Sequence, residues 1–168
     1  AIMKVMRLLS SLKHDESERG IFHLGRALVK NEHTSIIISS ADEDNDLVRR
    51  LKRDGNHYHQ LYMNKKSWLS LLQVAPLRRL IEKYDPDIIH VHSRTPAWIL
   101  HLALRRARVK RRPKLVSTMY GFYPINKYSQ ALLDVDTIIT VSDSVTNYLK
   151  KGLRREELEP KVIKRIYR

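Results

Sequence analysis

The chain has 168 residues, enough for one domain with a sizeable core, and carries 32 Lys and Arg against 18 Asp and Glu, a formal net charge of +14. It contains no cysteine, which excludes disulfides, zinc–thiolate sites and cysteine nucleophiles. The positive excess says nothing about fold but asks for an anionic partner: nucleic acid, an acidic membrane surface or a phosphorylated substrate.

In chain order, short apolar runs alternate with helical periodicities. "KVMRLLS" (4–10) reads as a first strand. "ERGIFHLGRALVKN" (18–31) follows as a helix with Ile21, Leu24, Leu28 and Val29 on one face, and Gly25 beside that stripe lets it sit close to a sheet. "HTSIIISS" (33–40) is a β-branched run suited to a buried strand, and "EDNDLVRRLKRDG" (43–55) is a polar helix ending in Gly. "NHYHQLYM" (56–63) alternates weakly, as an outer strand does. "KSWLSLLQVAPLRRLIEKY" (66–84) is helical with an interruption at Pro76. Then come a strand at 87–91, a helix from near Pro96, a strand at 114–121, a helix at 124–133, a strand at 136–142, a helix at 143–153 and a strand at 161–167.

This alternation predicts an α/β fold: one Rossmann-like, doubly wound domain over 1–168, its sheet mostly parallel, with helices on both faces. Such sheets bind ligands in the crevice at the carboxyl ends of their strands. Four predicted strand ends are polar: "SLKHDESE" (11–18), "HVHSR" (90–94), "MYGFY" (119–123) and "SDS" (142–144). The expected cleft residues are therefore His14, Asp15, Glu16, Ser17 and Glu18 in the first loop, with His92, Ser93, Arg94, Tyr120, Gly121 and Ser142.

His90 and His92, two apart on a strand, share a face. No third ligand stands at a recognisable spacing, so no metal is expected. His90, deeper in the strand, reads first as a hydrogen-bonded core histidine; His92 is open between structural bonding and ligand contact. Arg94 presents a fork suited to phosphate or carboxylate, or is simply solvated. Neither classical nucleotide fingerprint, G-x-G-x-x-G or G-x-x-x-x-G-K-S/T, is present, nor is G-x-S-x-G.

"NKKSWLSLLQVAPLRRL" (64–80) is either an ordinary amphipathic helix or an interfacial one. In the second reading Lys65, Lys66, Arg78 and Arg79 attract anionic lipid while Trp68 and the leucines make shallow apolar contact. "RRARVKRRPK" (105–114) holds seven basic residues in ten and reads as a solvated loop on the far side of the sheet, though it also suits a phosphate-rich surface. No apolar run approaches the ~18 residues that span a bilayer, and "AIMKVMRLLSS" is too short and too little apolar for a secretory signal, so the chain reads as cytoplasmic.

Several of these segments resemble a known family. "ERGIFHLGRALVKN" is similar to the helix after the first strand in the large family of retaining glycosyltransferases of family 4 type, where G-G-x-E-R often precedes it; here Asp15-Glu16-Ser17 replaces the glycines. "YDPDIIHVHSRTPAW" (84–98) resembles that family's P-D-x-x-H-x-H-S strand, its "SRTPAW" being especially like lipopolysaccharide core glycosyltransferases. "VSTMYGFYPINKYS" (116–129) resembles the T-x-H-G-x-Y stretch, with Tyr120 where the family often has His, and "DTIITVSDSVTNYL" (136–149) resembles D-x-V-I-A-V-S-E-S. "EPKVIKRIYR" (159–168) is similar to the run that leads into an N-G-V-D linker.

The resemblance implies one half of a GT-B fold. The amino-terminal domain binds a glycan or glycolipid acceptor, and a carboxy-terminal domain, absent from this chain, binds a nucleotide-sugar, which is a substrate rather than a cofactor. Tyr120 and His92 become the catalytic candidates, and the donor's own phosphate assists the incoming hydroxyl. It further implies transfer to a lipid-linked or lipopolysaccharide-core acceptor by a protein peripheral to the inner face of the cytoplasmic membrane. These 168 residues alone are expected to transfer nothing. A different reading of the same charge is a basic Rossmann-like nucleic-acid-binding or adaptor module. It lacks a recognition-helix signature and stacking aromatics, so no specific nucleic acid is expected.

Overall fold

The computed structural model describes residues 2–12, 16–64, 67–120, 127–141, 143–144, 147–148 and 162–165; for 16–19, 127 and 162–165 it describes the backbone alone. The elements are β1 (Lys4–Leu8), α1 (Glu16–Lys30), β2 (Thr34–Ser39), α2 (Asp46–Arg53), β3 (His57–Gln60), a 3-10 segment (Trp68–Gln73), α3 (Val74–Tyr84), β4 (Ile88–Val91), α4 (Arg94–Leu104), β5 (Lys114–Met119), α5 (Lys127–Leu133), β6 (Thr137–Thr140) and β7 (Val162–Arg165).

The strands form one seven-stranded sheet in the order β3-β2-β1-β4-β5-β6-β7, and all six neighbouring pairs are parallel. The sheet is thus wholly, not mostly, parallel. Strand alternation divides the core in two. Met6, Leu8, Ile36, Ile38, Ile89, Val91, Leu115 and Ile138 face a layer made by α3, α4 and α5, against Leu77, Ile81, Ile99, Leu100 and Leu132. Leu9, Ile37 and Tyr58 face the opposite layer, where Ile21 and Phe22 of α1 and Leu47, Val48 and Leu51 of α2 cover them.

Local chemistry accounts for most boundaries. Asn45 caps α2, its side chain accepting from Leu47 N at 2.8 Å, so that helix starts later than the charge run from Glu43 suggests. Gly55 takes φ +95 just past its end, a conformation open to glycine. Pro76 and Pro96 each lie third in their helices, where a missing N–H breaks no intrahelical bond. Pro76 therefore breaks no bond of α3, but the segment expected as one helix is divided two residues before it, where the 3-10 segment passes into α3; α4 starts at Arg94 rather than near Pro96. Among the described side chains of α1 the buried positions are Ile21, Phe22 and Gly25; Leu24, expected on the buried stripe, is 41% exposed. A Cβ on Gly25 would come within 2.6 Å of Asn56 Oδ1 and 3.0 Å of Arg7 Nη2, so the missing side chain does let α1 lie close on the sheet.

Candidate functional site

In strand order the direction of winding reverses between β1 and β4, and their carboxyl ends open into a crevice at that switch point. Arg7 of β1 stands in register with His90 of β4, and His90 with Val116 of β5, so these three side chains share the face on which α1 lies. His92 follows the end of β4, its backbone N–H donating to Leu8 O at 3.1 Å. Tyr120 follows the end of β5.

These residues make a connected polar row. His90 Nε2 and Thr118 Oγ1 share a 2.6 Å hydrogen bond, and His92 Nδ1 and Tyr120 Oη one of 2.9 Å. The two imidazoles stack with centroids 4.1 Å apart. His90 is pushed down to about 4, first by burial and then by the Arg7 charge, so it is neutral at pH 7. Arg7 itself is 1% exposed. Its Nη1 donates to Ile21 O at 2.8 Å and its Nη2 to Ser35 Oγ at 3.3 Å, which ties the start of α1 to the sheet. A cavity of about 290 Å³ opens over this row, walled by the polar side chains and by Ile21, Leu24, Ile139 and Val141. A mostly apolar concavity with a few converging polar groups is the usual form of a small-molecule site.

The structure brings His92 and Tyr120 together, as their strand-end positions suggested, and adds His90, Thr118 and Arg7. It does not bring in Ser93 or Arg94. Ser93 occupies the N-cap position of α4, and its Oγ is buried without a hydrogen bond. Arg94, in the first turn of α4, turns to α5: its guanidinium lies 5.1 Å over the Tyr128 ring and Nη1 reaches Ser129 Oγ at 3.5 Å. Glu16, Ser17 and Glu18 begin α1 rather than forming a loop. His14, Asp15, Gly121 and Ser142 lie outside the described residues, as do Lys65, Lys66 and most of the helix expected at 143–153. Arg7 escaped the sequence reading, although a charge inside an apolar strand run was a signal on the page.

A second feature lies beyond the carboxyl end of β3. In the 3-10 segment the small polar Ser70 faces the protein, while Trp68 (73% exposed), Leu69, Leu71 and Leu72 face outward, the reverse of an ordinary surface helix. Tyr62 is exposed beside them in sequence. Arg79 and Lys83 of α3, with His59 of β3 and the acidic Glu43, line a separate cavity of about 330 Å³. Arg78 is committed elsewhere: its Nε donates to Ala103 O at 3.0 Å and its Nη2 to Leu102 O at 3.2 Å, at the carboxyl end of α4. Among the described residues no helix is long and apolar enough to cross a membrane.

The family model for Glycosyltransferase Family 4 matches residues 17–165. The chain belongs to that family. Among solved structures it is similar to a glycosyltransferase from Rickettsia africae ESF-5, with 27% identity and a TM-score of 0.74 over 99% of this chain and 43% of that one. It is also similar to Anabaena Alr3699/HepE, solved with UDP and glucose (19% identity, TM-score 0.66, 98% and 44% covered). The lipopolysaccharide outer core galactosyltransferase WaaB is a third (14% identity, TM-score 0.68, 92% and 44% covered). No curated protein sequence matches the chain significantly. This Family 4 chain thus spans less than half the length of these structures and has the Rossmann-like architecture of one half of a GT-B fold.

Proposed function

We propose that these residues are the acceptor side of a retaining glycosyltransferase. The whole protein takes a sugar from a nucleotide-sugar held by a second domain and transfers it to a lipid-linked or lipopolysaccharide-core acceptor at the inner face of the cytoplasmic membrane. The switch-point cavity carries this reading: in a Family 4 chain, His92 and Tyr120 stand hydrogen-bonded at the carboxyl ends of adjacent strands. An imidazole and a phenol can each donate to or accept from a sugar hydroxyl, so the pair can fix one acceptor hydroxyl in a single orientation. As the new glycosidic bond forms, that hydroxyl's proton passes to the leaving phosphate, and neither side chain needs to act as the base.

The outward apolar run at 68–72 supports the membrane part, with Arg79 and Lys83 of the helix that follows it as the attraction for anionic lipid. The test is transfer from nucleotide-sugars to glycolipid acceptors, run on the whole protein and on these 168 residues. The expected result is transfer with retained anomeric configuration by the whole protein and none by the 168 residues. Transfer by the 168 residues alone, or inversion by the whole protein, defeats the reading.

A further inference from the structure

We infer that the switch-point cavity is an anion site in which Arg7 is the cation, and that it receives a phosphate or carboxylate group carried by the ligand. Arg7 is one of the most completely buried side chains of the protein, 1% exposed, near the carboxyl end of an interior strand. A buried guanidinium is costly unless an opposite charge answers it. Among the described residues none does. The ion pairs join Arg26 to Asp54, Arg49 to Asp46 and Lys52 to Glu43, and the Arg7 hydrogen bonds run to a carbonyl and a hydroxyl, both neutral. Its Nε has no hydrogen-bond partner, and Arg7 forms part of the cavity wall. Burial pushes the guanidinium down only to about 10, so it keeps its charge at pH 7, and its neighbour His90 is neutral there.

A cavity of about 290 Å³ has room for a tetrahedral phosphate or a planar carboxylate. Gly20 leaves its rim open, since a Cβ there would meet nothing within 4 Å. Nε is covered in this conformation, so a ligand in the cavity reaches it only with a small shift of the side chain; an oxyanion there answers both the donor and the charge, through a short charge-assisted bond. Tyr120 and Thr118 on the same wall supply hydroxyls for its other oxygens. That the ligand bearing the anion is a sugar rests on the reading of the cavity as an acceptor cleft; the anion site itself stands on Arg7.

The experiment follows the side-chain Nε–H resonance of Arg7 in the ¹⁵N-labelled chain, assigned by its loss in Arg7→Lys. Inorganic phosphate, glucose 6-phosphate, acetate and glucuronate are titrated at constant ionic strength, with glucose as the neutral control. The expected result is a saturable shift with the phosphates or with the carboxylates, which distinguishes the two sources, and none with glucose. Leu24→Trp, which narrows the mouth without touching Arg7, should weaken binding about tenfold. Arg111→Gln, in the exposed basic stretch, should leave it unchanged. Absence of a saturable shift with all four anions, equal binding in Leu24→Trp, or loss of binding in Arg111→Gln overturns the inference. Glucose 6-phosphate bound no more tightly than phosphate leaves the anion site standing and counts against the sugar cleft.

Discussion

Set between Arg7 and Thr118, the His90 imidazole refuses a proton until about pH 4, whereas in the unfolded chain it accepts one near 6.5. Between those values the unfolded state binds more protons, so this contribution is complete above pH 6.5 and is lost as the pH falls through 4. The loss is of the order of 3 kcal/mol. Urea midpoints measured from pH 7 to 4 should fall steeply for the wild type and more gently for His90→Asn; parallel slopes would show that His90 is protonated in the folded protein. Two glycines give a sharper contrast. Gly25→Ala drives a methyl into Asn56 and Arg7 and should cost about 1–3 kcal/mol even after the gain in helix propensity. Gly20→Ala, on the same helix with open space above it, should stabilise by about 0.5–1 kcal/mol. Denaturation of the pair checks both. At this scale the sequence was half legible. His92 and Tyr120 could be placed because strand ends line the crevice. Arg7 could not, because an arginine inside "KVMRL" does not say whether its face is buried. Arg94 misled because an N-terminal helical turn can aim a long side chain at the next helix as readily as at the cleft.

Adjacent arginines on α3 have separate tasks. Arg78 supplies donors to the last carbonyls of α4, where cationic groups also suit the helix dipole. Arg78→Gln should therefore cost about 1–2 kcal/mol of stability, while Arg79→Gln, exposed and free of such bonds, should change stability by less than ~0.5 kcal/mol. On anionic vesicles the order should reverse, with Arg79→Gln and a Trp68→Ser, Leu72→Ser double variant weakening co-sedimentation and Arg78→Gln leaving it nearly intact. Equal binding of the double variant and wild type would remove the outward run from the membrane. The sequence showed an amphipathic segment at 64–80 and left open whether its apolar stripe is covered by the protein or turned outward to a membrane. Helical periodicity identifies an apolar stripe; it does not say which face tertiary contacts will cover, and here Ser70 rather than Trp68 was taken inside.

Across the whole molecule, the net charge of +14 is answered by three side-chain ion pairs among the described residues. Like charges at that density press against compaction, and salt screens them over ~8 Å at physiological strength. The melting temperature should rise by a few degrees between about 10 mM and 0.3 M sodium chloride. Phosphate at matched ionic strength should raise it further by occupying the Arg7 site. A flat or falling profile in chloride would show that repulsion does not limit stability. The architecture was the most legible level, because the alternation of β-branched runs with helical patterns admits few topologies once crossovers are right-handed. Strand order and full parallelism followed the rule for doubly wound sheets; among the described residues the departures were local, in element ends set by caps such as Asn45 and in the 3-10 segment that replaces the first half of the helix expected at 66–84.

The place of β1 also has a consequence for synthesis. The strand is made before the other strands of its sheet, yet it lies inside the sheet between β2 and β4, with Arg7 paired in register to a residue 83 positions later. At about 5–20 residues per second its second edge waits roughly 4 to 17 seconds for β4 to be translated. During that interval Met6 and Leu8 lack their β4 neighbours and the strand presents open backbone groups to any passing chain. Nascent chains halted before residue 88 should be cleaved readily by protease, and those halted well after residue 104, with α4 complete, should resist. The newborn protein is therefore most exposed to wrong partners while the very strand that holds Arg7 stands half paired on the ribosome.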